Sequence, residues 1–210
     1  MSNEWEIDNL PNRLTIFRVV LIPIIVFSLY AVLAQYEWAA NHTRTLNYIA
    51  AWTFVLASIT DFLDGHLARS RNLVTVFGSF LDPIADKFLV IASLVMLLAL
   101  NRVDAIIVLI LILRELYITS LRLLASERQL SVPVSKSGKW KAAIQMVGIP
   151  LLMAYDIPFG LINMPLIGTI TIYLASLLSI LSAMDYSVKL LKKLKRTRRQ
   201  KKLNKINNQA

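Results

Sequence analysis

Four aspartates set the chemistry open to this sequence. Asp61, Asp64, Asp82 and Asp86 fall within 26 residues, in the stretches Asp61-Phe-Leu-Asp64-Gly65-His-Leu-Ala68-Arg69 and Gly78-Ser-Phe-Leu-Asp82-Pro-Ile-Ala-Asp86. On helices, Asp61 and Asp64 stand three positions apart and rise about 4.5 Å, while Asp82 and Asp86 stand four apart, so each pair emerges on one face. Two such helices joined by a short loop can lie antiparallel with the pairs converging. Four carboxylates facing one another repel strongly unless cations sit between them. Ligation by oxygen alone selects hard ions, Mg²⁺ or Mn²⁺ ahead of Ca²⁺, over zinc or copper. Two such ions would suit a pyrophosphate, neutralising its charge and stabilising an attacking and a leaving oxygen. Taken singly, each aspartate could be an ordinary helix end, with Asp64-Gly65 a turn and Asp82 a cap before Pro83. All four in this spacing are not explained that way.

The neighbouring small residues agree. Gly65 and Ala68 follow Asp64 by one residue and by one turn, leaving space for a nucleotide to lie against the helix, and Gly78 could do the same at the start of the next. Arg69 can pair with a phosphate oxygen or with the aspartates. Further along, Arg114 and Arg122 are eight residues apart, on roughly one helix face, and Lys136, Lys139 and Lys141 follow in the next loop and helix start. Arg114 and Glu115 stand deep in an apolar stretch, where ionisable groups need partners. A structural Arg–Glu network is therefore the alternative reading for the arginine.

The elements that must hold these residues are membrane helices. The 210 residues are 56% hydrophobic and only 17% charged, against about a quarter charged in soluble domains. The apolar residues fall in six blocks near the ~20 residues that cross a bilayer, at 14–34, 46–63, 80–100, 103–124, 140–155 and 161–181. The fifth is the weakest, being interrupted or bounded by Pro150 and Pro158. With no cysteine and two histidines, disulfides and cysteine or histidine zinc sites are excluded or poorly supplied. The acidic start (Glu4, Glu6, Asp8) does not read as a signal peptide.

Charge then orients the spans. Ten Lys/Arg and no acid lie between Lys189 and Lys205, and without them the chain is neutral, which accounts for the net charge of +10. Beside a membrane helix such a run reads as facing anionic lipid head groups rather than nucleic acid. The Arg69–Arg71 loop, the Arg128–Lys141 loop and this tail are basic, so the positive-inside rule puts them and both termini in the cytoplasm. The expectation is an all-α membrane protein of six transmembrane helices with a short amphipathic N-terminal segment. One membrane domain would span 1–188, with a basic cytoplasmic tail at 189–210. Trp38, Trp52 and Trp140 sit near expected interfaces, as aromatic belts do. Gly148 and Gly168 mark either close helix packing or flexible apolar spans.

The pattern D-x2-D-G-x2-A-R-x8-G-x3-D-x3-D resembles the signature of the CDP-alcohol phosphotransferase family, and Asp61, Asp64, Gly65, Ala68, Arg69, Gly78, Asp82 and Asp86 match it throughout. The resemblance runs from Pro11 to about Asp185. Pro11-Asn12-x-Leu14-Thr15-x2-Arg18, the Leu81–Lys87 stretch, and Arg114-Glu115 followed by Ser120-Leu-Arg122 look most like the members that join CDP-diacylglycerol and glycerol 3-phosphate, releasing CMP. The resemblance implies that Asp61, Asp64 and Asp82 hold two Mg²⁺ or Mn²⁺ ions, with Asp86 completing the site and acting as base on the acceptor hydroxyl. It implies that Gly65, Ala68, Arg69 and Gly78 cradle the cytidine diphosphate, with added contacts from Asn12 and Thr15. Glycerol 3-phosphate is a dianion, and Arg114, Arg122, Lys136, Lys139 and Lys141 are the candidate cations for it. A homodimer is implied by resemblance only. Other acceptors (phosphatidylglycerol, inositol or its phosphate, choline) remain open within the family. Outside it, the alternatives are a small cation channel or transporter, or a non-catalytic scaffold. Carboxylates at the cytoplasmic edge rather than mid-membrane count against conduction.

Overall fold

The structure is a computed structural model that describes the backbone of residues 10–71, 76–127 and 136–207, and side chains within 15–60, 84–127 and most of 138–200. Every regular element among the described residues is helical. In chain order these are α1 (Leu10–Leu33), the single turn α2 (Glu37–Ala40), α3 (Thr43–Arg71), α4 (Val76–Ala99), α5 (Ala105–Glu127), α6 (Lys136–Ala154), a 3₁₀ turn at Pro158–Gly160 and α7 (Met164–Asn207). Two of them, over Thr15–Leu33 and Met164–Thr197, are long and apolar enough to cross a membrane; Trp140–Ala154 is a shorter apolar helix. Those spans are read from the described residues alone; in α5 the Arg114–Glu115 pair interrupts the apolar run.

The six expected blocks map onto α1 and α3 to α7, with two differences. From residue 10 the backbone forms one helix with the first apolar block rather than a separate amphipathic segment followed by a span. At the other end, α7 is 44 residues long and continues without a break across residues 181–207, because Lys, Leu and Arg are good helix formers and no Pro or Gly follows Gly168. At about 1.5 Å per residue it measures about 66 Å, roughly twice a hydrocarbon core.

The core follows from helical periodicity. Leu21, Ile25 and Leu29 form the buried stripe of α1, set against Ala50, Phe54 and Ala57 of α3 and Leu89 and Leu97 of α4. Helix α1 packs on α3 and α4, α6 on α3 and α7, and α5 on α7. The α6–α7 contact is the most extensive. A methyl at Gly168 would stand 2.7 Å from Leu152 Cγ and 3.1 Å from its backbone nitrogen, and one at Gly148 would stand 2.7 Å from Thr171 Oγ1. Both glycines therefore serve close packing. The outward faces are apolar: Val20, Ile24 and Phe27 of α1, Leu109 and Leu113 of α5, and Leu174, Leu177 and Leu181 of α7 are exposed. Such belts belong against lipid rather than water.

The end remote from the aspartates is tied by Arg102. Helix α4 stops at Asn101, whose φ of 56° lets the Arg102 N–H return to Leu97 O at 2.9 Å, a left-handed helix stop that asparagine tolerates. The Arg102 side chain then donates to Leu152 O at 3.1 Å, Met153 O at 2.7 Å and Asn47 Oδ1 at 3.0 Å, and lies 4.5 Å from the Tyr155 ring centroid. Burial pulls its guanidinium down to about 10, so it is still charged at neutral pH. Asp156 forms a second tie at this end, accepting from Tyr48 Oη at 2.8 Å and Arg44 Nε at 2.8 Å.

Candidate active site

Asp61 and Asp64 lie in the last three turns of the continuous helix α3, and Asp82 and Asp86 in the second and third turns of α4, with four residues between the two helices. Consecutive helices so connected bring the aspartate-bearing segments to one end of the bundle. The side chains of Asp61, Asp64, Gly65, Ala68, Arg69, Gly78 and Asp82 lie outside the described residues, as do those of Asn12, Lys136 and Lys139. Thr15 is 1% exposed.

Asp86 is described, and it opens onto a cavity. This cavity, of about 260 Å³, is lined by Asp86 and Lys87 of α4, Arg114, Glu115 and Arg122 of α5, and Gly138, Lys141 and Gln145 of α6, with apolar walls from Val90, Leu94 and Leu111. Five candidates drawn from four separate stretches of sequence thus fall into two groups: Asp86, Arg114, Arg122 and Lys141 share one enclosure, and Thr15 is buried in α1. Arg114 and Arg122, eight residues apart, do face the same space.

The cavity floor is an ion cluster. Glu115 Oε2 accepts from Arg114 Nη1 at 3.1 Å and from Lys141 Nζ at 3.0 Å; the side chains are 13% (Arg114), 29% (Glu115) and 7% (Lys141) exposed. Helix α7 holds the other side of Arg114, whose Nη2 donates to Ser182 Oγ at 2.6 Å and whose Nε donates to Ser179 O at 3.3 Å. Three of the guanidinium's nitrogens are therefore committed to protein, so Arg114 is a fixed charge in the wall rather than a free fork. Lys141 lies within electrostatic reach of Asp86 as well as Glu115. Removing a Lys ammonium this far from water costs several kcal/mol unless it is paired, and Glu115 is the pair.

One lining residue, Gln145, was not singled out from sequence, and Arg18 entered only as part of the matched N-terminal motif, with no role given to it. Gln145, 3% exposed, lines the cavity one turn beyond Lys141, and its i+4 spacing from that lysine was the available signal. Arg18 is 0% exposed, and its place three positions after buried Thr15 and three before Leu21 puts it on the inward stripe of α1, toward α3 and α4.

For a divalent metal, the test these residues allow is one of donor chemistry. Asp61, Asp64, Asp82 and Asp86 offer only carboxylate oxygens from adjoining helices, a set that fits a hard cation, and Asp86 stands where such a cation would border the basic cavity.

Comparison with known proteins settles the class. A model of the CDP-alcohol phosphatidyltransferase family matches residues 8–181. The chain belongs to this family. The apolar outer faces of α1, α5 and α7 suit a family member that sits in a membrane. Among similar members, a protein of Rickettsia felis is 38% identical over 178 residues, covering 85% of this chain and 93% of its own. One of Bacillus subtilis is 35% identical over 186 residues, covering 86% and 94%. One of Haemophilus influenzae is 36% identical over 183 residues, covering 85% and 91%. All three are named CDP-diacylglycerol–glycerol-3-phosphate 3-phosphatidyltransferase.

Proposed function

We infer that this phosphatidyltransferase moves the phosphatidyl group of CDP-diacylglycerol to glycerol 3-phosphate, releasing CMP and forming phosphatidylglycerolphosphate. The observation that carries the reading is the cavity in which Asp86 meets Arg122, Lys141 and the Arg114–Glu115 pair. A carboxylate able to take a proton borders a cation-lined space large enough for a small phosphorylated alcohol. The names of the relatives point to the same acceptor.

In this reading the acceptor enters the cavity with its phosphate toward Arg122 and Lys141, joined by Lys136 and Lys139 from the start of α6, while Arg114 adds charge from the wall. Charge-assisted hydrogen bonds of this kind give both energy and orientation. Asp86 takes the proton of the acceptor's terminal hydroxyl, whose oxygen attacks the lipid-side phosphorus as the CMP oxygen departs. General-base transfer needs hydrogen-bond reach to that hydroxyl. Asp61, Asp64, Asp82 and Asp86 would hold two Mg²⁺ or Mn²⁺ ions, which supply charge neutralisation at the diphosphate. Gly65, Ala68 and Gly78 leave room for the cytidine nucleotide beside the helices, and Arg69, Asn12 and Thr15 contact it. The enzyme crosses the membrane six times with both termini and the site in the cytoplasm, as the basic loops and tail require. It assembles as a homodimer, as the resemblance implies.

The test is CMP release by purified protein in detergent with Mg²⁺ and CDP-diacylglycerol, screened over acceptors. Glycerol 3-phosphate should support turnover, and phosphatidylglycerol, inositol phosphate and free glycerol should not. CMP release with none of them, or faster release with another acceptor, would overturn the reading.

A further inference from the structure

Glu115 has no evident place in a cavity built for a dianion. Among the described residues lining that cavity, it and Asp86 are the two carboxylates, and a phosphate beside either would be repelled. Glu115 therefore marks a part of the cavity the phosphate does not occupy. Its Oε2 takes both cations, Arg114 at 3.1 Å and Lys141 at 3.0 Å. Those contacts fix the carboxylate's orientation, because Arg114 is itself held by Ser182 and Ser179 of α7. Among the described residues Oε1 accepts no hydrogen bond, and the side chain keeps 29% of its surface open. Glu115 lines the cavity, and with Oε2 engaged by both cations, Oε1 is the oxygen available to an O–H placed there. The open mouth is at Arg122, which is exposed, while Glu115 lies about two turns further into α5.

We propose that Glu115 is a specificity-determining residue: its Oε1 accepts a hydrogen bond from the acceptor's secondary hydroxyl, next to the hydroxyl that attacks. The inference rests on the glycerol 3-phosphate reading and deepens it. The cavity then reads three features of one small molecule. Its phosphate lies toward Arg122 and Lys141, its middle hydroxyl meets Glu115, and its terminal hydroxyl meets Asp86. An acceptor with the phosphate and the terminal hydroxyl but no middle one leaves a charged oxygen unmatched, and sites built this way discriminate strongly against the missing hydroxyl.

The probe is propane-1,3-diol monophosphate, which is glycerol 3-phosphate without the secondary hydroxyl. Wild-type protein should favour glycerol 3-phosphate in kcat/KM by roughly 10- to 150-fold, the range for a hydrogen bond to a charged group. In Glu115→Ala the preference should collapse to within about threefold of unity on the same scale. In Glu115→Gln the amide oxygen is claimed by Arg114 and Lys141 and its NH₂ faces the cavity, so the preference should fall about tenfold. A merely structural role would lower turnover with both acceptors by the same factor and leave the ratio where it was. Where a variant turns over too slowly, the ratio is read from the rise in Tm that each acceptor produces without CDP-lipid. A wild-type ratio near unity, or a ratio unchanged in both variants, overturns the proposal. So does a Gln variant that fails to fold, which would make Glu115 a bridge and nothing more. Absence of turnover by wild-type protein with glycerol 3-phosphate would instead overturn the parent reading.

Discussion

Replacing Lys141 by methionine separates two consequences that the geometry predicts. The ammonium is 7% exposed and 3.0 Å from Glu115 Oε2. Methionine keeps the length and apolar contacts of the side chain and removes all three donors. Breaking a fully buried pair by removing one partner costs about 3–5 kcal/mol. Here the stranded carboxylate keeps Arg114 at 3.1 Å and is 29% exposed, so the loss of stability should be smaller, about 1–2 kcal/mol. The effect on catalysis is separate. If the ammonium also contacts the acceptor's phosphate, losing a charge-assisted hydrogen bond of about 1.5–3 kcal/mol lowers kcat/KM for glycerol 3-phosphate by about 10- to 150-fold. The KM for CDP-diacylglycerol should change by less than about threefold, because uniform binding is lost at one substrate only. The assay is CMP release with each substrate varied in turn at saturating levels of the other, on protein whose Tm has been measured. Equal rises in both KM values would refute an acceptor role, and an unchanged Tm would refute the ion cluster as a stabilising element.

Three further outcomes are expected. Asp86→Asn should abolish turnover while glycerol 3-phosphate still raises Tm, and a variant keeping a tenth of wild-type activity would remove Asp86 from the role of base. Gly168→Ala should lower Tm, because its methyl would meet Leu152 Cγ at 2.7 Å and the Leu152 nitrogen at 3.1 Å; overpacking of about 1–3 kcal/mol outweighs a helix-propensity gain of at most about 1 kcal/mol. A raised Tm would show that α6 and α7 can separate freely. At the remote end, the hydrogen bond from Tyr48, with those from the Ile157 N–H and Arg44, holds the Asp156 carboxyl below its ordinary value of 3.8. A depressed carboxyl pKa contributes stability above the ordinary value, and that stability is lost as pH falls through the folded value. Wild-type Tm should therefore drop more than that of Asp156→Asn between about pH 5 and about pH 3, and parallel curves would refute the tie.

The helices were legible because each apolar block has its own period and length, and the prolines and basic loops between blocks punctuate them. Where the reading fell short, the cause was contact between distant segments. Arg102 looks like a plain loop charge until α6 supplies the carbonyls of Leu152 and Met153, fifty residues away. Glu115 could be seen to need a partner but not to have two, since Lys141 lies on another helix. For Arg114 and Arg122 a spacing of eight was enough to place them on one cavity, because helical geometry decides that locally. The end of α7 was not legible for another reason: hydropathy locates where an apolar block stops, not where a helix does. Nothing in the Lys- and Arg-rich stretch after Asp185 opposes the helix, so α7 continues to Asn207.

A rod pinned at one end carries a scale along its length. The Arg102 guanidinium grips α6 at Leu152 and Met153, eleven residues from Lys141, so the ammonium's height is set from about 17 Å away. One residue inserted between those points would turn Lys141 by about 100° and shift it by about 1.5 Å, carrying it off Glu115 while leaving every side chain of the cavity chemically intact. The gauge for the reacting end is therefore kept at the opposite end of the bundle.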